Sequence, residues 1–302
     1  MTARVAVLGF ATLDYVLSTR HPLNGTGTVD AHIFADDAWP RAGGAALYAC
    51  RRLSAHGHAA WPIVSVGTDI HAEAYRQACR QSDVRVDGVV ERPGEKTPCC
   101  LLVYHDNGGY TCLLDLGSVV ATYLSDAQRK LVADADMIVV AAADPVVISR
   151  ALDHLSADQQ VAWIVKDDPA CFPPALRREL VRHADVIFCN ASEYHLIDAF
   201  LIGAKPDMIL FETHGAEGVR VRSKAMECFV AASPVAVHDA TGAGDTFAGE
   251  ALAHLLAGRL DLLGIAQHAV DQVAAMLAAR QRAIRKPDWA QAVARESPTN
   301  GR

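Results

Sequence analysis

The residue types best suited to chemistry lie together in Val237-His238-Asp239-Ala240-Thr241-Gly242-Ala243-Gly244-Asp245-Thr246-Phe247-Ala248-Gly249. The stretch reads as a strand end, a loop of very small residues and the first turn of a long helix. Small residues let the backbone of 242–244 approach a ligand closely. The free N–H groups of the helix start then point at that ligand, and the helix dipole favours an anion there. Phosphate is the natural guest. Asp245 is the odd member. At a helix start a carboxylate can simply complement the dipole. Beside a phosphate it could instead accept the proton of a hydroxyl as that oxygen attacks the phosphoryl group. Asp239, at the strand end, could brace the loop or help organise a cation. Neither common phosphate fingerprint is present: no G-x-x-x-x-G-K-[ST] occurs, and Gly9-Phe10-Ala11 lacks the G-x-G-x-x-G pattern.

The elements that must position this loop alternate along the chain. Val5–Gly9, Ile63–Val66, Met137–Ala142, Val161–Val165, Val186–Cys189 and Ile209–Glu212 are short apolar runs that predict buried strands. Ala45–His56 and Ala72–Gln81 have helical spacing, and Gly242–Ala257 and Asp261–Arg280 are long and rich in Ala and Leu. Strand-then-helix alternation predicts an α/β fold, a mostly parallel sheet covered by helices on both faces. Two stretches break the pattern. Thr28–Ala35 reads as an isolated strand, and Pro98–Tyr104 and Tyr110–Leu114 flank the hairpin signal Asp106-Asn107-Gly108-Gly109. Together they predict a small antiparallel sheet standing off the main domain as a lid. Pro287 predicts the start of a last short helix, and 297–302 reads as a frayed tail.

Composition narrows the function classes. With 302 residues, 51% hydrophobic, the chain has enough apolar content to bury a full core. The net charge of −7 and the lack of a long Lys/Arg run argue against nucleic acid as partner. The longest apolar run, Met137–Ala143, is far short of the roughly 20 residues needed to span a bilayer. No signal-peptide pattern precedes Asp14, and the eight cysteines contain no C-x-x-C pair. A cytoplasmic protein with reduced thiols is therefore expected. The thirteen histidines show no metal-ligand spacing with neighbouring carboxylates or cysteines.

Asp239-Ala240-Thr241-Gly242-Ala243-Gly244-Asp245 resembles the D-[TA]-x-G-A-G-D signature of the ribokinase-like, or PfkB, carbohydrate kinases. Gly43-Gly44 resembles the glycine pair that opens a helix in that family, with matching spacing onward to Gly57 and Val66-Gly67-Thr68-Asp69. Asn190-Ala191-Ser192-Glu193 resembles its N-x-x-E motif, and Thr213-His214-Gly215-Ala216-Glu217-Gly218 its T-x-G-x-x-G turn. The matches run in family order over nearly the whole chain. The resemblance implies one ribokinase-like domain over 1–296, with lid strands inserted at about 28–36 and 97–115.

It also implies roles. Asp245 would be the general base, and the N–H groups of Gly242, Ala243 and Gly244 the anion hole. Asp14, Gly43 and Gly44 would form the acceptor pocket, joined by Tyr48, which could stack on the substrate or simply pack in the core. Asn190 and Glu193 would position Mg²⁺ through water, or cap a helix, or do both. Thr213, Gly215, Gly218 and Thr241 would meet ATP. Ribokinases carry Lys and Asn where this chain has Ala45 and Tyr48, which makes ribose itself doubtful. The monovalent-cation loop of some members begins near Asp239–Thr241 and closes on a Gly-containing segment, but here Arg280–Pro287 is Arg-rich without Gly. That leaves potassium open. Lys166-Asp167-Asp168 could touch the nucleotide or only end a strand. The expected activity is ATP-dependent phosphoryl transfer to a small sugar, polyol or nucleoside, with a homodimer formed through the lid strands. The alternatives are a catalytically silent sugar- or nucleotide-binding protein, or a sugar-phosphate kinase using Arg41 or Lys96.

Overall fold

The computed structural model describes residues 2–19, 28–33, 39–105, 109–117 and 123–283. The chain opens with β1 (Arg4–Leu8), β2 (Thr12–Thr19), β3 (Ala31–Ile33) and β4 (Arg41–Gly43). Helix α1 (Ala45–Ala55), β5 (Ala59–Val66), α2 (Ile70–Gln81), β6 (Val89–Glu91), β7 (Cys99–Tyr104) and β8 (Tyr110–Asp115) follow. Alternation resumes with α3 (Asp126–Ala133), β9 (Met137–Val140), α4 (Pro145–Asp153), β10 (Gln160–Ile164), α5 (Pro174–His183), β11 (Val186–Asn190) and β12 (Ile209–Thr213). The last elements are β13 (Gly218–Arg222), β14 (Glu227–Ala231), α6 (Ala243–Ala257) and α7 (Leu262–Ala283).

The main sheet has the order β14-β13-β12-β11-β10-β9-β1-β5-β6, parallel from β12 to β6. Its central strands are apolar throughout because both faces are covered. Two hydrophobic clusters divide the alternate side chains of β1: Val5 and Val7 pack on one side, Ala6 and Leu8 on the other. The parallel expectation therefore holds at the centre. The antiparallel edge β12-β13-β14 is an addition, since Gly218–Arg222 carries arginines at alternate places and Glu227–Ala231 offers only a short apolar run after Glu227.

The second sheet corrects the lid expectation. Its order is β3-β2-β7-β8, with β4 also on β2, and β2 pairs with β7 in parallel, so the sheet is mixed. Strand β2 is its centre, yet no strand is expected there from sequence. Thr12, Asp14 and Thr19 are buried within it and break the apolar pattern that marks a strand. Of the expected lid strand at 28–36, Ala31–Ile33 is present, while 34–36, the turn residues 106–108, Pro287 and the tail lie outside the described residues.

Helix α6 carries the loop 239–245, and its position is fixed by close backbone approach. It is buried nearly all round, from Asp245 to Ala253. Phe247 packs edge-on against the stacked pair Phe188 and Phe211 of β11 and β12, with ring centroids 6.2 and 5.8 Å away. On the α1 side, Glu250 takes Arg52 at 2.7 Å and His56 at 2.8 Å, with His254 at 3.3 Å. The histidines show no metal-like spacing in sequence, but folding brings His56 and His254 to one carboxylate. Helix α7 is long and apolar enough to cross a membrane by length and composition alone. Here it buries Ile265, Ala266, Ala269 and Val270 and packs on α6, β13 and β14.

Gly249 sets how near α1 and α6 can come. A Cβ there would lie 2.7 Å from both Cα and O of Ala49. Replacing a helical glycine by alanine ordinarily stabilises by about 0.5–1 kcal/mol. In Gly249→Ala the helices must instead separate, and we expect a loss of about 1–3 kcal/mol. Urea denaturation measures it; a variant as stable as the parent would show that the contact does not limit packing.

Candidate active site

The carboxyl ends of the parallel strands gather the chemistry-bearing residues, as an open α/β sheet leads one to expect. Lys166 follows β10, Asn190 ends β11, Thr213 ends β12, and the loop 239–245 lies beside them. Gly242 caps α6 in the left-handed conformation, φ 71°, where a Cβ would meet the Tyr48 ring at 2.5 Å. That contact requires glycine. Beside Gly244, by contrast, a side chain would enter open space.

The hydrogen bonds of this turn correct part of the anion-hole expectation. The Ala243 N–H is taken by Ala240 O at 3.0 Å, and Thr246 N–H by Gly242 O at 2.9 Å. Among the described residues, the N–H groups of Gly242, Gly244 and Asp245 have no acceptor. The open donors are thus 242, 244 and 245 rather than 242–244. Asp245 is buried, with its Oδ1 2.8 Å from Lys166 Nζ. Burial works against the Lys166 ammonium, but Asp245, with Glu193 nearby, holds its pKa above the ordinary lysine value. Sequence alone left Lys166 undecided; the fold puts it on the candidate base.

Asp239 is anchored rather than open. Its Oδ2 accepts from Arg41 Nη1 at 2.6 Å, and Arg280 Nη1 lies 3.9 Å from Oδ1. Burial alone would raise this carboxyl, but the two guanidiniums hold it below the usual carboxylate range. Tyr104 of the lid strand β7 donates to Asp239 Oδ1, contacts Thr241 Oγ1 at 3.1 Å and accepts from Ala240 N–H at 3.1 Å. Arg280 Nη1 donates to the Thr241 carbonyl. The oxygens that would ligate a monovalent cation near Asp239–Thr241 are already served by cationic donors. These residues do not fit such an ion. Tyr104 and Arg41 carry no signature motif, so nothing in the sequence marked them for this loop.

The acceptor-side residues also come together. Asp14 is buried and accepts from Thr12 Oγ1 at 2.8 Å, and its carboxylate lies so near Gly43 that a Cβ there would come within 1.9 Å of Oδ2. Gly44 has φ 88° and leaves no room for a side chain against Phe10 O. Both glycines therefore serve close approach. Burial, with the charges of Asp239 and Asp245, pushes the Asp14 pKa up to about 6 against the pull of Thr12 and Arg41. Tyr48 is 4% exposed, with its ring under Gly242 and its hydroxyl unpartnered. The core-packing alternative accounts for its ring.

On the nucleotide side, Asn190, Thr213 and Gly215 line one open cleft. Gly218 does not line it. At φ 133° it starts β13 where a Cβ would strike Val230 O at 2.0 Å, a need of the sheet edge. Asn190 and Glu193 exchange bonds, Asn190 N–H to Glu193 Oε2 at 2.9 Å and Glu193 N–H to Asn190 Oδ1 at 2.8 Å. The exchange has the form of the expected cap, but it closes a turn ahead of the short 3₁₀ segment Tyr194–Leu196 and opens no α-helix. Glu193 Oε1 is outside that exchange, and burial pushes the Glu193 carboxyl up. An oxygen-only donor set with one carboxylate oxygen to spare fits Mg²⁺ held through water.

Comparison with known proteins identifies the fold and the family. The family model described as pfkB family carbohydrate kinase matches residues 3–288. A nucleoside kinase from Burkholderia thailandensis in complex with inosine superposes with a TM-score of 0.76 at 16% identity, over 91% of this chain and 90% of that one. A ribokinase from Cryptococcus neoformans in complex with ADP gives 0.75 at 18% identity, over 97% and 100%. An uncharacterised sugar kinase from Pyrococcus horikoshii in complex with ATP gives 0.74 at 19%, over 95% and 94%. The fold is ribokinase-like. No curated protein matches the chain.

The raised Asp14 pKa has a stability consequence with a definite sign. The folded state binds this proton more tightly than the unfolded chain, so stability falls as pH rises from about 4 through about 6. Asp14→Asn removes that loss. We expect the variant to melt above the parent at pH 8, with the gap closing toward pH 4. Thermal melts across this range decide it, and a gap independent of pH would refute the assignment.

Proposed function

We propose a reaction for this chain, which belongs to the pfkB family of carbohydrate kinases: ATP-dependent phosphoryl transfer to a hydroxyl of a small sugar, polyol or nucleoside. The observation that carries it is one juxtaposition. A buried carboxylate, Asp245, sits in the first turn of α6 with Lys166 at 2.8 Å and with open N–H donors on both sides of Ala243. A proton acceptor is thereby placed beside a cradle for negative charge.

In this reading Asp14 accepts hydrogen bonds from neighbouring hydroxyls of the acceptor and fixes its orientation, the role best suited to a buried carboxylate facing a diol. Asp245 takes the proton of the attacking hydroxyl. The N–H groups of Gly242, Gly244 and Asp245 stabilise charge on the transferring phosphoryl oxygens, where preorganised donors have most effect. Lys166, a compact point charge, moves between Asp245 and the incoming phosphates. Thr213 and Gly215 line the nucleotide cleft. Asn190 and Glu193 would hold Mg²⁺ through water, and the ion when bound neutralises phosphate charge. The lid sheet, tied to the loop through Tyr104, excludes water that would otherwise compete as acceptor. A sugar phosphate as acceptor is less well supported, because Arg41, which with Lys96 would have to hold a second phosphate, is paired with Asp239.

An ADP-release screen of the purified protein against pentoses, hexoses, sugar acids, inositols and nucleosides tests the reading. At least one acceptor should stimulate ADP release and yield a phosphorylated product by mass spectrometry. With that acceptor, Asp245→Asn should lower kcat by about 10²–10⁴, and Lys166→Met should raise the KM for ATP. Parent-rate turnover by Asp245→Asn would remove the base assignment.

A further inference from the structure

We infer that Arg280 is a positioning residue that braces the phosphate-facing loop from beneath, so that transfer needs no monovalent cation. This rests on the phosphoryl-transfer reading above. The first N–H groups of a helix have no acceptor within it, which leaves those of Gly244 and Asp245 open at the start of α6. The Thr241 carbonyl, just before the Gly242 cap, accepts from Arg280 Nη1, at the far end of α7 and 39 residues along the chain. The guanidinium thereby fixes the backbone from which those open donors project.

The side chain is held on several sides. Its Nη1 is 3.9 Å from Asp239 Oδ1, and Asp239 is itself fixed by Arg41 and by the Thr241 N–H at 3.0 Å. Its guanidinium carbon lies 5.8 Å from the centroid of the Tyr48 ring, the ring on which Gly242 rests. Next to it, Gln281 Oε1 meets His238 Nδ1 at 2.7 Å, a second tie between α7 and the strand end that feeds the loop. A bound monovalent cation would have to share Asp239 and the Thr241 carbonyl with two guanidiniums, whose charge repels it. The chain supplies its own fixed cation at this place. Arg is the side chain suited to it, being permanently charged and planar, with donors that reach two acceptors at once.

The test uses the full chain and the acceptor found by the ADP-release screen, at constant ionic strength in KCl or in N-methylglucamine chloride. The parent should turn over equally in the two salts. Arg280→Ala should lose at least about tenfold in kcat, in line with loss of preorganised oxyanion donors, with little change in acceptor KM. Millimolar guanidinium, or KCl entering the space left behind, should restore part of the rate. Arg280→Lys keeps the charge without the fork and should fall between; it also serves if the alanine variant does not fold. Thermal melts give a readout independent of turnover: the parent should melt equally in both salts, and Arg280→Ala higher in KCl. A parent activated severalfold by potassium, or Arg280→Ala at parent rate without potassium, would overturn the inference while leaving the transfer reading intact. Absence of turnover with every acceptor would overturn the transfer reading instead, and the melts alone would still decide the cation question.

Discussion

Three carboxylates converge at one end of the sheet, and their shared burial is the constraint to which the rest of the site responds. Burial first, and after it the charges of Asp239 and Asp245, raise the Asp14 pKa. The fold answers each charge differently. Asp239 receives Arg41 from β4 and Arg280 from α7, and Asp245 receives Lys166 from the end of β10. Asp14 has the Thr12 hydroxyl as its direct partner and keeps a pKa raised to about 6. Buried ion pairs add little to stability, because desolvation offsets their attraction. Their value here is geometric: each pair pins a loop to an element far away in sequence.

That geometry explains why the two sheets must act together. The central strand of the lid sheet carries Asp14, and its neighbour β7 carries Tyr104, whose hydroxyl serves both Asp239 and the Ala240 N–H. A movement of the lid therefore reaches the loop 239–245 through one phenol. Burial pushes that phenol up to about 12, so it remains a donor at any physiological pH. The α1–α6 contact works from the other side, where Gly249 allows close approach and Glu250 gathers Arg52 and two histidines. The first turn of α6 is thus located by backbone contact and not only by side-chain packing.

The parts legible in the sequence are those whose physics is local. Apolar runs such as Met137–Val140 mark strands buried on both faces because the whole run must leave water. The small-residue turn before Asp245 is legible because nothing larger than glycine fits at position 242 over Tyr48. Asn190, Glu193 and Thr213 could be placed by motif, since each sits at a strand end or just beyond one, whereas Asp14 lies inside β2. Strand β2 was not legible, because a strand built to carry buried Thr12 and Asp14 lacks the pattern that identifies strands. At Gly218 the structure adds a need that the motif did not show, since the sheet edge itself requires glycine there.

By itself, then, the sequence determined the parallel core, the small-residue helix start and the carboxylate within it, because these depend on spacing along a few neighbouring residues. Tertiary structure alone decided which cation meets which carboxylate. Arg41, Lys166 and Arg280 are each separated from their partners by many turns of chain, and an ion pair depends on distance in space, on which chain order is silent. It also decided how the loop before α6 is braced, since the Thr241 carbonyl meets Arg280 only when α7 folds back over it.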